Sequence, residues 1–399
     1  MMKKHLAIIC GVMYPNASAT GICARRFADI LSTDYDIDMI CMASDSITAE
    51  VESNNIKIHA LSGGTLKREA HSVGVVKKLH HICGQVQIKT RFLGNLHWFA
   101  DCALKKLIEI DKKRRIDAVF SVCSPLAAHV AAMNFKRKNE SVRWVAYTVD
   151  LYATPERIRP VGYSFSKIAE KEINILERAD AVFLSEEIFG NHPEMVDRFR
   201  NVSRLPYVIP EREQRQDEGN SIFEKDNINC VFAGSFYSSI RNPKTMLETF
   251  CKINDDRIIL HLYSSGCDEI VEKHTSNCKN IIAHGRVSQD VIKKVYEDAD
   301  VLINIGNANE DFVPSKTFEY IGTGKPIINF YYGSKPDNAM ERYPIAVNIS
   351  NDIGEGNGYS IKDFIRRSVA MKVSKQQIAI LYPENNAGDI KRLLASKIG

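Results

Sequence analysis

Short apolar runs alternate with longer amphipathic stretches along the whole chain. In the first half, His5–Val12, Asp36–Met42, Ile56–Leu61, Asp117–Val122, Val142–Thr148 and Ala181–Ser185 are compact and largely apolar, which predicts strands. Between and after them, Gly21–Ser32, Leu96–Lys112, Leu126–Arg137 and Ser164–Glu177 return an apolar residue every three or four positions, which predicts helices. The second half repeats the rhythm. Cys230–Gly234, Ile258–Tyr263, Asn280–His284, Val301–Ile305, Pro326–Tyr331 and Ile345–Ile349 read as strands. Pro243–Ile253, Gln289–Asp298, Lys316–Thr323 and Ile361–Met371 read as helices.

Alternating strands and helices predict a parallel sheet covered on both faces. Between the two halves lies PEREQRQDEGN, from Pro210 to Asn220, which is polar and bounded by Pro and Gly. The expected architecture is therefore α/β, with two doubly wound Rossmann-like domains, 1–211 and 212–399. The tail from about Ser374 reads as helix with a break at Tyr382-Pro383, and the last helix is a candidate to pack back on the first domain. A length of 399 residues suits two domains of about 200 residues each. Two such domains are expected to face across a cleft, with ligands beyond the carboxyl ends of the strands.

Composition narrows the choices. The chain is 44% hydrophobic and 26% charged, as globular proteins are, so a long disordered, fibrous or coiled-coil protein is not expected. No run of about 18 uncharged apolar residues predicts a spanning helix. The basic-then-apolar start lacks a small-residue cleavage site, and HLAIICGV reads as a buried first strand. Ten cysteines occur singly, without C-x-x-C, which predicts reduced thiols in a cytoplasmic chain and no metal site. The net charge of +4 gives no nucleic-acid signature for the whole chain. The charge is unevenly placed, however. Residues 60–145 hold sixteen Lys and Arg against six Asp and Glu, with runs at Lys112-Lys113-Arg114-Arg115 and Lys136-Arg137-Lys138. Such a segment is either a set of solvated helix faces or an attraction to an anionic membrane surface or acceptor, in a chain peripheral on the inner face of the membrane.

The richest stretch for chemistry is NEDFVPSKTFEYIGTGKP, from Asn309 to Pro326. A strand ends near Ile305, a loop follows, and a helix begins at about Ser315, with Gly324 and Pro326 as stop signals. Free N–H groups at a helix start attract anions, and Lys316 adds a positive charge there, so a diphosphate suits the place. Glu319 lies one residue beyond the capping-box spacing, so its carboxylate is a candidate acceptor for two vicinal hydroxyls. The competing reading makes it an acid that complements the helix dipole.

The run Asp311-x7-Glu319 followed by Tyr-x-x-x-Gly-Lys-Pro resembles the E-x7-E segment of family 4 retaining glycosyltransferases, in the form found in bacterial polysaccharide assembly. Asp311 stands where that family has Glu. The resemblance implies the GT-B fold and a nucleotide-sugar donor, with UDP the expected nucleotide. It also implies metal-independent transfer with retained configuration to a polysaccharide or lipid-linked glycan. Carried over residue by residue, Arg241 and Lys316 would neutralise the diphosphate, and Asp311 would hold sugar hydroxyls. Glu319 would hold the ribose. Gly234, Ser235, Val313, Pro314 and Ser315 would line the donor, with Arg286 and Val287 against the nucleobase. The family usually places a cation where Ser235 stands. In the first half, the loop at Tyr14–Gly21 would lie over the donor phosphates, Arg25 or Arg26 would face the cleft, and Asp150 would sit near the reacting sugar. Sugar choice is expected from the side chains around Asn307 to Val313. Two rivals share the fold: a nucleotide-sugar epimerase, and a non-catalytic glycosyltransferase-like partner subunit.

Overall fold

A computed structural model describes residues 3–14, 17–44, 49–53, 55–63, 93, 96–154, 165–210, 221–308, 313–352 and 358–399. Asp311, most of the polar linker and part of the basic segment, with His80 and His81, lie outside these residues. The backbone divides into two units, Met1–Val208 with Ala387–Gly399, and Ile209–Asn386. The division falls a few residues before the position near 212 taken from the linker's composition.

The first unit runs β1 (Lys4–Tyr14), α1 (Ala19–Leu31), β2 (Tyr35–Ala43), β3 (Ala49–Ser53), β4 (Ile56–Leu61), α2 (His97–Lys113), β5 (Ala118–Cys123), α3 (Ala127–Lys138), β6 (Arg143–Thr148), α4 (Phe165–Leu176), β7 (Ala181–Leu184), α5 (Glu186–Asn191), α6 (Pro193–Val196) and β8 (Val202–Arg204). Its sheet has the order β3-β4-β2-β1-β5-β6-β7-β8. Every pair is parallel except β3 with β4. The central strands are apolar because both faces are covered, and β5 is buried at every position. The edge strand β3 is AEVES. Its two glutamates place charge on an edge and gave no apolar run to read. Small residues let helices approach: Ala127, Ala128, Ala131 and Ala132 of α3 are all buried in the core that also takes Phe99, Ala103 and Leu107 of α2.

The second unit runs β9 (Ile228–Ser235), α7 (Lys244–Cys251), β10 (Ile258–Ser265), α8 (Asp268–Asn277), β11 (Ile281–Ala283), α9 (Gln289–Asp298), β12 (Val301–Ile305), α10 (Ser315–Ile321), β13 (Ile327–Tyr331), α11 (Asn338–Arg342), β14 (Ala346–Ser350), α12 (Gly358–Ser368) and α13 (Lys375–Leu381). The sheet order is β11-β10-β9-β12-β13-β14, all parallel. Chain order reverses between β9 and β12, which makes the carboxyl ends of those two strands the switch point of the sheet. Helix starts are set locally: Ser288 caps α9, and Ser374 with Gln377 forms a full capping box on α13. The last helix, α14 (Ala387–Ile398), belongs to the first unit. It buries Ile390, Leu394 and Ile398, and Lys391 pairs with Asp34 at 2.9 Å.

One cysteine expectation is corrected. Cys251 and Cys278 are joined in a disulfide, because the end of α7 and the turn before β11 bring their Cα atoms to 5.5 Å across 27 residues of sequence. The basic runs are also partly engaged in ion pairs at the surface of the first unit. Lys113 pairs with Glu109, Arg114 with Asp36 and Lys136 with Asp180. Among the described residues, no helix is long and apolar enough to cross a membrane.

Candidate functional site

Of the residues singled out in the second half, Gly234, Arg241 and Lys316 are linked around the switch point. After β9 the chain forms a tight turn in which Tyr237 N donates to Arg241 O at 3.1 Å and Arg241 N returns a bond to Tyr237 O at 2.8 Å. Three neighbouring segments fix this turn. Phe236 stacks on Phe232, with ring centroids 4.5 Å apart. The Ala308 N–H, beyond β12, donates to Ile240 O at 2.8 Å. The Tyr332 hydroxyl, beyond β13, accepts from Asn242 N at 3.0 Å.

The turn sends the Arg241 side chain inward. Nη2 donates to Asn307 Oδ1 at 2.8 Å, while the buried Nε has no hydrogen-bond partner. Nη1 lies 3.8 Å from where a side chain on Gly234 would begin, so the bare backbone of Gly234 leaves the guanidinium room. Among the described residues no carboxylate pairs with Arg241. Burial lowers its pKa, against the smaller opposite influence of Tyr320, Tyr237 and Tyr332. A partly buried cation without a counter-charge and with a buried, unused donor is costly, and an anion would relieve both deficits.

Helix α10 brings the second cation. Pro314 stands at its amino end with no side-chain cap, and Thr317 N donates to Pro314 O at 2.9 Å. Lys316 Nζ donates to the Tyr296 hydroxyl at 2.8 Å and lies 5.5 Å from the centre of that ring. Tyr296 meets Tyr320 edge to face at 5.3 Å, and the Tyr320 hydroxyl bonds both N and O of Ala233 at 3.3 Å, next to Gly234. Burial pushes the Tyr320 phenol up to about 12. A continuous path of contacts thus runs from Lys316 through Tyr296, Tyr320 and Ala233 to the Gly234–Arg241 turn. Ser315 and Glu319 share the helix with Lys316. The sequence suggested an open Glu319 carboxylate, but the residue is only 8% exposed.

Ser235, Val313 and Pro314 flank these elements, whereas Arg286 and Val287 sit beside the edge strand β11 and the remaining candidates belong to the first unit. Ser235 ends β9 with its Oγ 3.3 Å from Ser265 Oγ. Arg286 is exposed and Val287 half-buried, on the turn after the edge strand β11, and Gly285 before them has φ of +71°. Val313 is partly buried and Pro314 buried at the entry to α10. In the first unit, Gly21 has a packing explanation. A Cβ there would lie 2.2 Å from Val12 O, so the glycine lets α1 seat against the end of β1. Asp150 follows β6 and its carbonyl takes a long contact of 3.7 Å from the Cys123 thiol. Arg25 pairs with Asp29 at 2.8 Å on its own helix. Among the described residues, no group of three His, Cys, Asp or Glu is placed to hold a metal ion.

Sequence reasoning missed Asn307 as a contact of Arg241, and it missed the tyrosines 296, 320 and 332. Asn307 lay in a segment assigned to sugar choice. Tyr320 entered the sequence reading only as a motif residue and Tyr332 not at all, because the partners of their hydroxyls come from distant parts of the chain.

Comparison with known proteins adds the fold's relatives. No protein-family model matches the chain. No curated protein matches its sequence. Solved structures do match over nearly the full length. A sucrose-phosphate synthase from Thermosynechococcus elongatus has a TM-score of 0.69 at 13% identity, covering 99% of this chain and 98% of the other. A UDP-forming trehalose-phosphate synthase from Burkholderia xenovorans has a TM-score of 0.63 at 9% identity, covering 99% and 98%. An E. coli structure described as trehalose-6-phosphate bound with UDP-2-fluoro glucose has a TM-score of 0.64 at 9% identity, covering 99% of both. These likenesses establish the architecture the two sheets already display: the chain has the GT-B fold.

Proposed function

We propose that this chain is a glycosyltransferase that takes a sugar from a UDP-linked donor and transfers it with retained configuration. The carrying observation is Arg241: a guanidinium at the switch point, with one neutral contact and one donor unused. In such a transfer the bond between the anomeric carbon and the diphosphate lengthens. Negative charge gathers on the leaving group while the sugar becomes cationic. Preorganised positive groups stabilise this change most where water is excluded. Arg241 and Lys316 supply the charge, with the backbone N–H groups at the start of α10 beside Lys316. Glu319 takes the ribose hydroxyls, and Asp311 takes hydroxyls of the sugar. The departing phosphate accepts the acceptor's proton. Neutralisation by two side-chain cations requires no divalent metal, so turnover is expected to persist with a chelator present.

The motif from Asp311 to Pro326 supports the finer placement in family 4, with a polysaccharide or lipid-linked glycan as acceptor. The solved structures bear names of enzymes that make sugar phosphates, which supports a sugar-phosphate acceptor as the second reading. An assay with UDP-glucose and either glucose 6-phosphate or a lipid-linked glycan separates the two by the product formed. A new sugar from the donor alone would instead identify an epimerase. The basic runs make an anionic inner membrane surface the further partner of the lipid-linked reading, and vesicle co-sedimentation tests it.

The central test is calorimetry of UDP with Arg241→Ala. Loss of a hydrogen-bonded charge contact of this kind costs about 1.5–3 kcal/mol, or about ten- to a hundredfold in affinity. Unchanged affinity would remove the donor site from this turn.

A further inference from the structure

The contact between Arg241 and Asn307 has an unusual chemical character. A buried arginine is ordinarily held by a carboxylate, which matches its fork of donors and cancels its charge. Here the partner at 2.8 Å is an amide oxygen. Asparagine and aspartate have nearly the same shape, and either oxygen accepts the same hydrogen bond. They differ in what remains afterwards. An aspartate would leave a neutral pair with no attraction for a phosphate. The amide orients the guanidinium and leaves its full charge in place. The surroundings agree with this. The main-chain bond from Ala308 N to Ile240 O ties the Asn307 segment to the arginine's own turn, and the Tyr332 hydroxyl holds the same turn from just beyond β13. Both supports are neutral, so among the described residues the turn is held from beyond two strands by groups that bring no negative charge.

We infer that Asn307 is a positioning residue, a neutral tether that aims the Arg241 guanidinium while keeping its charge available for a diphosphate. This rests on the donor-site reading above and adds to it a requirement for the absence of charge at position 307.

The test uses the full chain, titrated calorimetrically with inorganic pyrophosphate and with UDP across a salt series, in wild type, Asn307→Asp, Asn307→Ala and Arg241→Ala. Asn307→Asp keeps the acceptor and the shape. A merely structural asparagine would therefore tolerate it better than alanine. The tether predicts the reverse order: about tenfold or greater loss for Asn307→Asp, a smaller loss for Asn307→Ala, and a flatter salt dependence in the aspartate variant, as in Arg241→Ala, but not in Asn307→Ala. It also predicts opposite signs in two readouts, since a new Arg–Asp pair should raise the thermal midpoint of the second unit while weakening pyrophosphate. Wild-type affinity in Asn307→Asp, with Arg241→Ala impaired, overturns the tether and leaves the donor site standing. Unimpaired Arg241→Ala overturns both. Should Asn307→Asp not fold, Asn307→Leu serves in its place, since it removes the acceptor without adding charge. It is expected to lose affinity with the salt dependence retained, and full retention of affinity would overturn the tether.

Discussion

Single residues here are constrained either by what they would strike or by what they would leave unpaired. Gly324 shows the first constraint. It adopts φ of +72°, and a Cβ would lie 2.3 Å from the Val373 carbonyl oxygen. Gly324→Ala combines a strained backbone with a backbone collision, so we expect a loss of about 2 kcal/mol or more, read as a lower urea midpoint for the second unit. Normal stability in that variant would mean that Val373 yields. Glu319 shows how a role can be isolated from its neighbours. It is assigned to the ribose and not to the phosphates, so Glu319→Ala should weaken UDP by about tenfold and leave inorganic pyrophosphate unaffected. Equal losses for both ligands would make Glu319 a support of α10 instead. The glycine at 324 and the acid at 319 were both visible in the sequence by position. Their reasons were not, because a collision partner and a burial depth belong to other parts of the chain.

At the scale of elements, the second sheet carries a polar row that runs from its buried centre to its exposed edge strand. Asn304, Asn329 and Asn348 occupy matched positions on β12, β13 and β14. Asn304 donates to Asn329 at 2.8 Å, and Asn329 donates to Asn348 at 2.7 Å. Asn304 also reaches Thr317 on α10 at 3.4 Å, so the row links strand register to the helix that bears Lys316. Asn329 is fully buried. Replacing it with Leu strands the donor of buried Asn304, while the exposed Asn348 can turn to water. The expected cost is about 1–3 kcal/mol for each buried group left unsatisfied, measurable by chemical denaturation. A neutral outcome would show that water enters to replace the amide. The sequence predicted these strands to within a residue or two, since an apolar run bounded by turns is a local signal. It gave no sign of the row, because the three asparagines are spaced by whole strand–helix–strand units and meet only through parallel register.

At the scale of the molecule, the pH dependence of the first unit follows from two histidines placed in opposite surroundings. His5 donates Nε2 to Asp38 at 2.7 Å and Nδ1 to the Arg115 carbonyl at 3.1 Å, a pattern that only the doubly protonated ring satisfies. Burial lowers its pKa, but the hydrogen bond and charge of Asp38 outweigh burial and the opposing Arg114, so it lies above the ordinary 6.5. A raised value contributes stability that is present below about 6.5 and is lost as pH rises through the folded pKa. His129, wholly buried beside Ser121, has no such partner, and burial pushes it down to about 3. A lowered histidine works the other way. Its contribution is present above about 6.5 and falls by up to about 1.4 kcal/mol for each unit of pH below that. The first unit should therefore be most stable near pH 6.5. Denaturation at pH 5, 6.5 and 8 checks this. His129→Gln is expected to flatten the acid limb and His5→Gln the alkaline limb, while an unaltered profile in both variants would contradict the assignment.

By itself the sequence determined what depends on neighbours along the chain. Apolar periodicity gave most of the strands and helices, though not β3, β8, α5, α6, α8 or α11, their alternation gave two α/β units, and the spacing from Asp311 to Pro326 marked one loop and helix as chemically special. The tertiary structure alone decided which distant groups meet. It brought Arg241 onto Asn307 and Lys316 onto Tyr296, gave Gly21 a role in packing, and joined Cys251 to Cys278. The reason is physical. Secondary structure responds to propensity and burial within a few residues. A site's charge and geometry are set by contacts between strand ends that parallel topology brings together from far apart in the chain.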